Sequence, residues 1–117
     1  MALDASSPFV FTPAEQLLLD EVVARCPHTA SAIRGEVRVT LSELVIRLQG
    51  HVLTPAAVDE LLGQTISLVV ARRLAEYDGW DGVETPHASL LLTLLARHAA
   101  AQSREATHFQ FRVALWN

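Results

Sequence analysis

Three Thr-Pro dipeptides, Thr12-Pro13, Thr54-Pro55 and Thr85-Pro86, punctuate this chain of 117 residues and limit what it can fold into. A threonine hydroxyl accepts hydrogen bonds from the free N–H groups at the start of a helix. A proline directly after it gives up only a donor that the helix would not have used. Each dipeptide therefore marks a helix N-terminus. Glu15, three residues after Thr12, completes a reciprocal capping box, and Thr40-Leu41-Ser42-Glu43 has the same form.

Apolar spacing fills in the segments between these starts. The first helix is expected to run from Thr12 to about Cys26 with Leu17, Leu18 and Val22 turned inward and Leu19 at the margin of that face, and Pro27 ends it. Residues 27–35 read as a short helical turn closed by Gly35, and a second helix opens at Thr40 and closes at Gly50. From Thr54 a wide face of Val58, Leu61, Leu62, Ile66, Val69, Val70, Leu74 and Tyr77 predicts a heavily packed central helix. Gly63 inside it suggests a close crossing or a break. The helix from Thr85 is expected to reach about Gln102, with Leu90, Leu91, Leu94, Leu95 and His98 on one side and Leu92 and Ala99 widening it.

Two segments alternate with a period of two instead. Glu36 to Thr40 is short and β-branched, although a helical register through Val37, Leu41, Leu44 and Leu48 competes with it. At the C-terminus Thr107, Phe109, Phe111, Val113 and Leu115 alternate with His108, Gln110, Arg112, Ala114 and Trp116, a strong strand pattern. The expected fold class is therefore α+β, predominantly α: four main helices and a small β element built from residues 36–40 and 107–116. Residues 1–11 read as a flexible leader and 12–117 as one helix-rich domain.

Half of the residues are hydrophobic, chiefly Leu and Ala, which is a large share for a small domain to hide. A homodimer is expected, with the fourth helix or the terminal strand at the contact. The net charge is −4, and all nine cationic residues are Arg. Asp78, Asp81 and Glu84, with Glu76, surround Trp80 in an Arg-free stretch, and the rest of the chain is near neutral. Such a surface lacks the basic footprint of a nucleic-acid or anionic-lipid binder. The longest apolar stretch, Leu90 to Ala96, falls far short of the roughly 20 residues of a membrane span. One cysteine and no Arg before Thr12 leave the cytoplasm as the expected compartment.

The order helix, short strand, helix, turn, helix over about 70 residues resembles a winged-helix domain, which implies duplex DNA as a ligand. In that arrangement a wing falls within 68–84 and Pro55 opens the recognition helix. That helix begins with Asp59 and Glu60 and has no Arg before Arg72, the wrong sign for a phosphate backbone. Nucleic acid is disfavoured unless Arg72, Arg73, Arg97, Arg104 and Arg112 converge.

Catalytic and metal patterns are sparse. His28, His51, His87, His98 and His108 never stand three or four apart, so no zinc site is expected. Cys26 reads as a small buried filler at a helix end, where the dipole disfavours a thiolate. Asp20-Glu21 and Asp59-Glu60 are adjacent pairs, whose side chains diverge by about 100° on a helix and read as solvated. Asp78, Asp81 and Glu84 lack the ligand spacing of an EF-hand. No catalytic residue, metal or cofactor is expected. The expected function is a non-catalytic protein-interaction domain (an adaptor, regulator or immunity-type inhibitor) acting through apolar and acidic surfaces. Trp80, Asp78, Asp81, Glu84, Arg112 and Trp116 are its candidate contact residues. A small enzyme with an unrecognised pocket is the third alternative.

Overall fold

In a computed structural model the chain is described over residues 9–48, 53–76 and 85–116, with side chains for 9–48, 53–76 and 88–109. Four helices are present among the described residues: α1 Pro13–Arg25, α2 Pro27–Arg47, α3 Pro55–Ala75 and α4 Thr85–Trp116. The first and third start as their Thr-Pro dipeptides require. Thr12 Oγ1 accepts from Glu15 N–H at 3.1 Å while Glu15 Oε1 accepts from Thr12 N–H at 2.9 Å. Thr54 Oγ1 accepts from Ala57 N–H at 3.1 Å.

The β element does not form: among the described residues there is no strand, and the fold is all-α. Residues 36–40 lie inside α2, where the competing helical register wins. Two positions decide between the periods. A strand places Val37 and Val39 on one face, whereas a helix turns them about 200° apart. Val37 is 0% exposed and Val39 59%. Ile33, Val37, Leu41 and half-buried Leu44 and Leu48 form the inward stripe of a single 21-residue helix. Gly35 and Thr40 are consequently interior, and the Thr40 hydroxyl accepts a long hydrogen bond from Arg72 Nη1 at 3.4 Å instead of capping a helix.

The C-terminal alternation is overridden in the same way. After Pro86 the sequence contains neither Pro nor Gly, and Ala99-Ala100-Ala101-Gln102-Ser103-Arg104-Glu105-Ala106 is composed largely of good helix formers. The unfavourable nucleation step is therefore complete before residue 107. Extending the helix adds one backbone bond per residue, whereas a strand would need a partner edge. Buried Thr107 donates from Oγ1 to Ser103 O at 2.8 Å, and Phe109, two residues on, is 60% exposed. Without strands the likeness to a winged-helix domain disappears, since residues 36–40 and the described part of the presumed wing, 68–75, are helical.

At about 1.5 Å per residue the 32 residues of α4 span roughly 48 Å, close to the long dimension of 51 Å. α4 touches each of the other three helices, while α1 touches α2 and α4 but not α3 among the described residues. Its first half is buried around most of its circumference, through Ala88, Leu92, Leu94, Leu95, Ala96, Ala99 and Ala100. The alanines let neighbouring helices approach closely. α3 adds Val58, Leu61, Leu62, Ile66 and Val69, the face expected from its spacing, with Thr65 buried and bonded to Leu61 O at 3.0 Å. α1 turns Leu19 and Val22 inward, while Leu17, expected in the core, is 71% exposed. α1 and α2 meet at the single residue Cys26, which is exposed and not a buried filler.

Two predictions follow from the helical α2 and α3. Val37→Ala is expected to destabilise the fold by about 2 kcal/mol, whereas Val39→Ala changes it by less than about 0.5 kcal/mol. Urea titrations of the two variants measure this difference, which a strand at 36–40 would abolish. A Cβ added at Gly35 or Gly63 meets nothing within 4 Å, so the close crossing or break suggested at Gly63 is absent. Gly35→Ala and Gly63→Ala are each expected to raise stability by about 0.5–1 kcal/mol in thermal unfolding.

Candidate functional site

Polar side chains converge where α3 begins and the second half of α4 passes. On a helix Arg104 and His108 stand one turn apart on a common face. Both meet Asp59 of α3. Arg104 donates to the carboxylate through two nitrogens, Nε to Oδ1 and Nη2 to Oδ2, each at 2.8 Å. His108 Nε2 lies 2.7 Å from Oδ1. The forked guanidinium holds the Asp59 carboxyl below its ordinary range, against a smaller opposing effect of burial, and the His108 contact adds to the lowering. The same pairing raises Arg104. An ionised carboxylate only accepts, so Nε2 of His108 carries the proton that points at it.

Arg104 is also stacked by Phe9, whose ring centroid lies 5.1 Å from the guanidinium carbon. A second contact of this kind lies two turns earlier on α4, where Arg97 sits 4.5 Å over Phe11. Arg97 donates to Glu15 Oε2 at 2.7 Å and to Val10 O at 2.8 Å. His98 meets the Phe11 ring edge-on at 6.4 Å. Arg97 and the Thr12 N–H together hold the Glu15 carboxyl below its usual range. Residues 9–15 thus form a strap along α4, fixed by two cation–π contacts and one carboxylate that serves both a helix cap and a tertiary ion pair.

The recess beside this cluster, about 570 Å³, is lined by Phe9, Pro55, Ala101, Arg104, Glu105 and His108. Among the described lining residues no hydroxyl or thiol stands beside the His–Asp pair for it to activate. The carboxylate is committed to Arg104. Chemically the cluster is a clamp joining α3, α4 and the strap.

A groove of about 540 Å³ lies between α2 and the second half of α4. Leu41, Val45 and Ile46 form one wall and Ala106 contributes to the other. Ser42, Gln102, Ser103 and Thr107 add polar atoms, and Arg38 is the single charged side chain among the described lining residues. Ser103 and Thr107 turn their hydroxyls back to Ala99 O and Ser103 O within α4. Ile46 is 66% exposed, so a large aliphatic side chain faces solvent on the wall of a trough.

The residues singled out in the sequence fare differently. Asp78, Trp80, Asp81 and Glu84 lie outside the described residues; Arg112 and Trp116 lie on the α4 backbone beyond the described side chains. The other arginines do not converge: Arg73 pairs with Glu36 at 2.7 Å, Arg97 with Glu15 and Arg104 with Asp59. Asp59 is not a solvated member of an acidic pair, whereas Asp20 and Glu21 make only short local contacts, with Gln16 and Arg25. Among the described residues no three His, Cys, Asp or Glu side chains gather to hold a metal, and no helix is long and apolar enough to cross a membrane.

Asp59→Asn is expected to destabilise the fold by about 1 kcal/mol at neutral pH, a modest value because the pair is partly exposed. A carboxyl whose folded-state pKa is lowered contributes stability above its unfolded pKa of about 4 and loses it as pH falls through the folded value. Denaturant midpoints of wild type and variant, compared from pH 7 downwards, should therefore draw together below about pH 4. Compared with known proteins, the chain matches no family model, no curated protein and no solved structure.

Proposed function

We propose that this chain is a non-catalytic protein-interaction domain and that the α2–α4 groove is its contact surface. The observation that carries the proposal is Ile46, an isoleucine left 66% exposed beside Val45, Leu41 and Ala106 in a concave trough. A trough between two helices that exposes an aliphatic wall is the shape into which an amphipathic helix lays its apolar face.

Two further observations support a binding role. The described carboxylates and guanidiniums that meet across elements, Glu15–Arg97, Glu36–Arg73 and Asp59–Arg104, hold the helices and the strap together. Those arginines consequently do not form a basic stripe for nucleic acid. Secondly, the His108–Asp59 pair faces a recess whose described lining holds no hydroxyl or thiol.

Photocrosslinking in the protein's own cells tests the contact. A photoreactive residue replacing Ile46 should give a discrete protein conjugate. The same residue at Ala24, exposed on α1, should give none. Equal labelling at both positions, or no conjugate from position 46, would remove the groove as a contact surface.

A further inference from the structure

We propose that the α2–α4 groove selects an acidic amphipathic helix belonging to a second protein. This rests on the protein-contact role just proposed and adds the chemistry of the partner. The charge pattern around the groove is one-sided. Arg38 lines it, and Arg34, one turn earlier on α2, lines a smaller recess that continues the trough and shares Gln102 with it. Among the described residues no carboxylate lines either hollow.

Neither guanidinium has a carboxylate partner among the described residues, where the pairs involve Arg25, Arg73, Arg97 and Arg104. Three described acids of α2 and α4 are engaged or placed elsewhere. Glu36 is held by Arg73 at 2.7 Å. Glu105 lines the separate recess beside Asp59. Glu43 lies about 140° around α2 from Arg38, by helical geometry, and is not among the lining residues. In a chain of net charge −4, two adjacent cations are left uncompensated along an aliphatic trough.

The dimensions suit one element. From Arg34 to Ile46 is 12 residues, or roughly 18 Å of α2, which matches about three turns of a docked helix. Arg34 and Arg38 are about 6 Å apart along the axis, so carboxylates four residues apart on the incoming helix face both. Its apolar stripe then lies on Leu41, Val45, Ile46 and Ala106. Apolar contact supplies affinity, and the paired charges supply selection and orientation.

Fluorescence anisotropy with two synthetic peptides of about 14 residues tests this. Both carry leucines at helical spacing; one has Glu at two flanking positions four residues apart, and the other has Lys there. The full-length chain should bind the Glu peptide about tenfold or more tightly than the Lys peptide. The double variant Arg34→Glu/Arg38→Glu should reverse that order, and Ile46→Glu should weaken both peptides while circular dichroism stays unchanged. Equal binding of the two peptides, binding of neither, or a Glu preference that survives the double variant would overturn the proposal. Sedimentation provides a further arm: a dimer that Ile46→Glu converts to monomer would make a second copy the occupant and overturn it as well. A conjugate at position 46 with no charge preference among the peptides would leave the protein-contact role standing and sink only the acidic partner.

Discussion

Uninterrupted propagation of α4 is the constraint on which the remaining structure depends. Between Pro86 and the C-terminus nothing in the sequence can stop a helix, so one element spans the molecule and offers a surface to all the others. Its alanine-rich first half lets packing close around it on most sides, and Arg97 near the end of that half and Arg104 in the second recruit the strap and the start of α3. Interrupting it would separate the apolar core from the polar clamp.

The polar clamp and the groove occupy different faces of the same stretch of α4, and this division gives each its character. Toward α3, Arg104 and His108 find a carboxylate, and the charges are consumed internally. Toward α2, Gln102, Ser103, Ala106 and Thr107 are short or uncharged, and two hydroxyls are turned back into the helix. The α2 side therefore stays open and greasy, with cations only along its edge. A helix that satisfies its polar groups on one side is free to leave the opposite side for contact.

Local chemistry made part of this legible in the amino-acid sequence. The Thr-Pro starts at residues 12 and 54, the capping box at Thr12 and the inward face of α3 depend on neighbours within a turn or two, and the structure keeps them. The β element failed because a period of two over five or ten residues cannot by itself compete with a helix already nucleated upstream. That single error also concealed the clamp. With residues 107–116 alternating as a strand, Arg104 and His108 appear unrelated, whereas on a helix they are neighbours awaiting an acid. Asp59, paired by its sequence with Glu60, carried no sign that its partners lay 45 and 49 residues away. The strap was equally hidden, because Arg104 and Arg97, which the Phe9 and Phe11 rings meet, lie 95 and 86 residues further along the chain.

The place of α4 after the other three helices in chain order has a consequence for biogenesis. α1 meets α2 but not α3, and the contacts fixing Glu15 and Val10 reach forward 82 and 87 residues to Arg97. A ribosome emits the polypeptide from its N-terminus, so the earlier helices emerge with their inward faces bare and their eventual scaffold still unsynthesised. The contacts of the strap and of the first three helices with α4 can close only once α4 has been made, across long loops. During that interval the Leu, Ile and Val side chains that α4 covers in the folded chain remain exposed.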